Sequence, residues 1–315
     1  MPRSVADAHT DVLYRLLFDD ELSFVGDSPL QASLQALQTG DVRTQVFAIF
    51  VPAESPGPTQ LSQVMSSIDV FRRKVVGAKD SPVMAVTSRE ALNEVRRRDG
   101  IAAILSLEGG GCLGNDTSIL RMLFELGVRG VGLTWNPANQ LADGCREERN
   151  AGLTQAGREI VKEMGRLGMW IDIAHLSDAG VADTFTLTDG PVMASHANVR
   201  NVHQHPRNLT DNTILEIIRR QGWMGITFEG SFVAAEGQRS MEEIFRHIDY
   251  VLELGGENHL GFGSDFDGTA HPVAGLESAA DYTSLGEAML ERYGAQLTEK
   301  MLFGNFEQFL HRVLP

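Results

Sequence analysis

The chain has 315 residues, 43% hydrophobic and 22% charged, with 42 acidic against 27 basic side chains and a formal charge of −15. That apolar share excludes a disordered chain, and the negative surface argues against nucleic acid or anionic lipid, leaving a small molecule as the expected partner. Only Cys112 and Cys145 are present, expected as free thiols. No stretch approaches the roughly 18 apolar residues of a membrane span, and nothing before Asp7 reads as a leader, so a cytoplasmic location is expected.

Eight short apolar runs alternate with helical patterns. In chain order they are residues 5–11, 45–52, 102–109, 128–135, 169–177, 191–198, 223–230 and 259–268. Such alternation implies parallel βαβ units, and eight of them imply an α/β fold closed into a (β/α)8 TIM barrel occupying residues 1–315 as one domain. The clearest helix starts at Thr154 as N-cap, runs through Ile160, Val161, Met164 and Leu167, and stops at Gly168. Leu215, Ile218 and the apolar positions of residues 243–254 are read as inward faces of further helices. Residues 52–58, rich in proline, read as the loop after the second strand rather than a linker.

The residues that could carry chemistry fall at the ends of these runs. His9 and Asp11 are two apart, so an extended backbone would send both to one face. Glu108 precedes a glycine pair, His175 ends Ile-Asp-Ile-Ala-His, His196 ends Met-Ala-Ser-His, and Asp265 lies in Gly-Ser-Asp-Phe-Asp-Gly. Barrel active sites gather at the C-terminal ends of the strands, so six residues distant in sequence should converge. Imidazole nitrogen and carboxylate oxygen suit zinc, and a carboxylate can bridge two ions about 3.5–4 Å apart. Singly, each has an ordinary alternative: a hydrogen-bonded pair, a helix cap, a histidine satisfied by backbone. Their coincidence at successive strand ends favours a metal centre.

These motifs resemble those of the renal or membrane dipeptidases, zinc enzymes among the amidohydrolase-like barrels. Asp-Ala-His-Thr-Asp, Leu-Glu-Gly-Gly, Ile-Asp-Ile-Ala-His-Leu-Ser, Ser-His-Ala, Arg-Asn-Leu-Thr-Asp and Gly-Ser-Asp-Phe-Asp-Gly occur in the family's order, and Gly304 to Phe306 extends the likeness. The resemblance implies two Zn2+ per chain, one held by His9 and Asp11 and the other by His175 and His196, with Glu108 bridging both. It further implies dipeptide hydrolysis by a metal-bridging hydroxide, with tolerance of a D-residue at the second position. Asp265 would then transfer protons and hold the substrate amino group; the alternative is a third ligand on the first zinc. Arg207 would bind the substrate carboxylate through its two-donor fork, Arg200 being the nearest competitor, while His203 and His205 are expected to be surface or supporting groups.

Trp135 departs from the family's best-known members, which carry a histidine there to stabilise the oxyanion. Indole offers one neutral N–H donor, so that task would fall partly to zinc or to Asn136. Two other readings stay open: hydrolysis of another small amide, cyclic amide or lactone on the same centre, and a metal-binding barrel without catalysis. The family's members often pair, which leaves a homodimer as an expectation without an interface signal in the sequence.

Overall fold

The computed structural model describes residues 4–55, 57–78 and 81–315. Its strands, in chain order, are β1 (Val5–Thr10), β2 (Val42–Phe50), β3 (Val83–Ala85), β4 (Ile101–Glu108), β5 (Val128–Gly132), β6 (Trp170–Asp172), β7 (Val192–Ala194), β8 (Trp223–Ile226) and β9 (Leu260–Phe262). All pair in parallel; β1 joins β9, and β2 joins both β1 and β4, closing a barrel of eight strands with β3 outside the ring. β3 was not expected. It pairs with residues 101–103 of β4 on the edge that β5 takes over from Leu105 onward, so it adds to the ladder without entering the ring.

Alternation along β4 explains how one strand serves two cores. Ala103, Leu105 and Leu107 pack toward the helices, whereas Ala102 and Ile104 join Ala6, Ala8, Val46, Trp170, Met193 and Trp223 in a second cluster at the barrel floor. The helix Asn305–Val313 plugs that floor. Phe306 lies 4.5 Å from Trp223 and Phe309 6.4 Å from Trp170, ring centre to ring centre. Each fully buried aromatic contributes about 1.5–3 kcal/mol. Gly130 in β5 makes room for the Trp170 indole, which a methyl group there would overlap. Asn305 Nδ2 donates to the carbonyls of Glu257 and Leu260, which fixes β9 to the plug. With the floor filled, only the C-terminal mouth of the barrel can receive a ligand.

The helix Gln155–Leu167 is built as expected. Thr154 accepts from the Gly157 N–H, and Gly168 ends it at φ 72°, a left-handed conformation that glycine adopts without strain. In the helix Met241–Glu253 the apolar face is Ile244, Phe245, Ile248 and Val251. Leu215 is corrected: it faces solvent, 46% exposed, and Ile214 and Ile217 form the buried face of the helix Asp211–Arg219. Pro58 belongs to the first turn of the helix Gly57–Val70, where its missing N–H costs nothing, so the loop after β2 is shorter than expected; Pro56 lies outside the described residues. Both cysteines are free. Among the described residues no helix is long and apolar enough to cross a membrane.

Candidate active site

The strands stop earlier than the apolar runs do, and this changes how the site is made. His9 is in β1 and Glu108 is the last residue of β4, but His175, His196 and Asp265 lie beyond the ends of β6, β7 and β9, in the loops. Asp11 is not extended either. It stands at φ −98° and ψ 21° as the N-cap of the helix Val12–Phe18, yet its side chain accepts no capping hydrogen bond. A capping aspartate normally spends its carboxylate on that helix; this one turns to the barrel mouth.

The six residues converge. His9 Nε2 lies 3.4 Å from Asp11 Oδ2, 3.6 Å from Glu108 Oε2 and 3.8 Å from Asp265 Oδ1. On the other side, Glu108 Oε1 lies 2.8 Å from His175 Nε2 and 3.6 Å from His196 Nε2. The two oxygens of one carboxylate therefore face different partners, although the His9 and His196 rings lie 3.8 Å apart, centre to centre. Close approach depends on glycine at position 268, where a methyl group would overlap the carboxylates of Asp11 and Asp265. Asp7 supplies a further brace: its Oδ1 accepts from the backbone N–H groups of His9 at 3.1 Å and Ser264 at 3.0 Å, joining the first strand to the last.

The electrostatics show a centre short of positive charge. Burial pushes Glu108 well above the carboxylate range, with His9 opposing and Asp11 adding to the shift. Burial likewise pushes Asp265 up to about 8. His9 is held at about 10 because the pull of Glu108, Asp11 and Asp265 outweighs its own desolvation. Burial, aided by Arg207 and His9, keeps His175 and His196 neutral.

These residues fit a divalent cation. His175 Nε2 and His196 Nε2 sit 2.9 Å apart, while their Nδ1 atoms are engaged elsewhere, with Asn136 Oδ1 at 3.0 Å and Ser195 Oγ at 2.7 Å. Asn136 Oδ1 can only accept, so the neutral His175 ring carries its proton at Nδ1 and turns the lone pair of Nε2 toward His196 and Glu108, a position that a cation or a proton from His196 would fill. Both ring nitrogens of His9 and Asp11 Oδ1 are buried without a hydrogen-bond partner. Two groups suited to a metal emerge, His9 with Glu108 and His196, and His9 with Asp11 and Asp265. The second keeps a ligand role for Asp265 in play beside proton transfer.

The centre opens into a cavity of ≈ 460 Å³ walled by Phe50, Trp135 and Phe232. Trp135 packs 5.2 Å from the Phe50 ring and 6.4 Å from the His175 ring. Asn136 lines the cavity, but its side-chain oxygen is occupied by His175 and by Cys145 Sγ at 3.4 Å, so it orients the His175 ring. Arg207 is fully buried and absent from the cavity wall. Its Nη1 donates to the Ala174 carbonyl and its Nη2 to that of His196 at 2.9 Å, and its guanidinium lies 5.1 Å from the Phe232 ring. Arg200 pairs with Asp178, and the His205 ring stacks 4.6 Å from Phe232. Sequence reasoning gave no role to Ser195, Asp7 or Arg146, although Ser195 and Asp7 stand inside the quoted motifs, one and two residues from the candidate ligands His196 and His9.

Removing the Asn136 side chain is expected to weaken metal binding by about 10–100-fold, the usual cost of losing the partner that orients a ligand histidine. Competition with a chelator would measure it; unchanged affinity in Asn136→Ala would show that His175 needs no such tie.

A histidine and carboxylate cluster at the C-terminal mouth of a (β/α)8 barrel is the arrangement of a metal-dependent barrel enzyme. The comparisons narrow the class. The profile of the membrane dipeptidases, peptidase family M19, matches residues 2–314, and the chain belongs to that family. Its fold matches dipeptidase AC, a metallopeptidase of family M19, with 27% identity and a TM-score of 0.92 over 100% of this chain and 99% of that one. It also matches a metallopeptidase from Rhodobacter sphaeroides, crystallised with a phosphinate mimic of the dipeptide L-Ala-D-Ala, at 26% identity and 0.92 over 99% and 100%. The probable dipeptidase PvdM of Pseudomonas aeruginosa shares the fold at 19% identity and 0.87 over 99% and 95%. The protein is a metallo-dipeptidase, a hydrolase of dipeptides.

Proposed function

We propose that the centre is binuclear and holds zinc, with His9 and Asp11 on one ion, His175 and His196 on the other, and Glu108 between them. The observation that carries this reading is the division of Glu108: Oε2 toward His9, Oε1 toward His175 and His196. Zinc bound there supplies Lewis acidity for a carbonyl and lowers the pKa of water. The chain's own residues do the rest. The Asp265 carboxyl, raised by burial, suits a group that takes up a proton and returns it to the leaving amine. The same carboxyl is suited to receive the substrate's amino group, with Phe50, Trp135 and Phe232 excluding water around the peptide bond.

Dipeptides of the L,L and L,D series are the proposed substrates. The cavity is of a size for a small ligand, and the Rhodobacter sphaeroides neighbour carries a mimic with a D-residue second. Elemental analysis of purified protein, coupled to ninhydrin detection of amino acids released from an L,L and L,D panel, tests the reading. About two zinc per chain with turnover is expected. Two zinc without turnover would transfer the reading to another small amide or lactone, with Trp135 as the reason; one metal or none would overturn the binuclear assignment.

A further inference from the structure

The wall of the cavity is acidic. Beside Asp11, Glu108 and Asp265 at its base stand Glu54, Glu229 and Asp267, and among the described lining residues the one arginine or lysine is Arg146. Its anchorage is fixed. The Arg146 N–H donates to the Asn136 carbonyl at 3.1 Å, the Cys145 N–H to the His175 carbonyl at 2.8 Å, and Gly144 pairs with Leu176 in an antiparallel bridge. The Arg146 backbone is thereby pinned to the same two segments that carry Asn136 and His175.

Its side chain is not spent. Among the described residues the Arg146 guanidinium makes no hydrogen bond or ion pair, whereas nearby arginines are committed: Arg149 to Asp143 at 2.5 Å, Arg200 to Asp178 at 2.6 Å, and Arg207 to two carbonyls. Arg146 is exposed, as a solvated surface arginine is, but it lines the catalytic cavity from a backbone fixed to the loop that carries His175. Away from the cluster at the base, Glu54 and Glu229 repel an anionic group and Arg146 is the lining side chain that attracts one.

We propose that Arg146 receives a carboxylate of the dipeptide and so sets which substrates are accepted. The proposal rests on the dipeptidase reading of the site. A guanidinium binds carboxylate through a planar pair of donors that lysine cannot reproduce. Two sources offer that chemistry: the C-terminal carboxylate, and the side chain of an aspartate or glutamate in second position.

Steady-state kinetics of wild type, Arg146→Ala and Arg146→Lys on Ala-Ala, its C-terminal amide, Ala-Glu and Ala-Gln decides the matter. Loss of one partly exposed charged contact should lower kcat/KM about tenfold, mainly through KM, with partial recovery in Arg146→Lys. A loss on Ala-Ala that vanishes with the amide identifies the C-terminal carboxylate. A fall in the preference for Ala-Glu over Ala-Gln identifies the side chain. An equal change on all four overturns the proposal. Wild type that cleaves none of them would sink the dipeptidase reading by itself. Calorimetry of L-glutamate binding to the metal-loaded protein then tests Arg146 without turnover: about tenfold weaker binding in Arg146→Ala supports it, and unchanged binding overturns it.

Discussion

Glutamine at position 108 is expected to lower kcat/KM by about 10³-fold or more and to strip the protein of metal. Glu108 presents one oxygen to His9 and the other to His175 and His196. Glutamine keeps a single oxygen and turns an NH2 group toward one of the two sets, where it repels a cation and offers no lone pair. At most one metal should remain per chain. Chelated protein should respond in the opposite sense. Burial resists a charge on Glu108 and Asp11 adds repulsion, which His9 opposes, so without metal the neutral amide removes a charge that burial disfavours. Glu108→Gln should therefore melt at or above wild type in chelator and below it in zinc. A variant that keeps two metals and most of its activity would show that Glu108 does not bridge.

Asparagine at position 265 separates the two roles that geometry allows that residue. Asp265 sits at φ 68°, a left-handed conformation that asparagine tolerates as well as aspartate, so the backbone should not move. As proton carrier it should lower kcat by about 10²–10⁴-fold when replaced, with metal content intact, because the amide cannot take up a proton at neutral pH. As ligand, placed with His9 and Asp11, its loss should instead empty one metal position. Elemental analysis beside kcat decides between them, and a variant with normal turnover would remove Asp265 from the chemistry altogether.

The barrel was legible because each of its strands is buried on both faces and reads as an apolar run bounded by polar segments. β3 escaped notice since three residues, one of them exposed, form no such run. The same logic explains the overrun at β6, β7 and β9. Apolar character continues past the named strands through Ile173, Ala174 and Phe266, which are buried without being strand, Phe266 keeping a single parallel bridge to Thr10. The six candidate residues were named by type and spacing, and the structure brings them together. The surroundings of Arg207 could not be read in the same way. Its loop motif pointed to a carboxylate contact, but the direction of its side chain is set by the carbonyls of Ala174 and His196, more than ten residues away in sequence. Arg146 lies in a polar loop like many others, and only its position beside His175 singles it out.

The brace at Asp7 has a consequence in time. One carboxylate oxygen gathers the N–H groups of His9 and Ser264, residues 255 apart in the chain, and the seam it closes is the one between β1 and β9. During synthesis at about 5–20 residues per second, the ribosome needs on the order of 10–50 s to deliver the second of these after the first. A nascent chain stalled before β9 would hold His9, Asp11 and Glu108 with the ring still open and the Asp7 carboxylate lacking its second donor. Closure of the ring thus waits for the last strand, and a pulse-labelled chain is expected to resist protease only after that strand has left the exit tunnel.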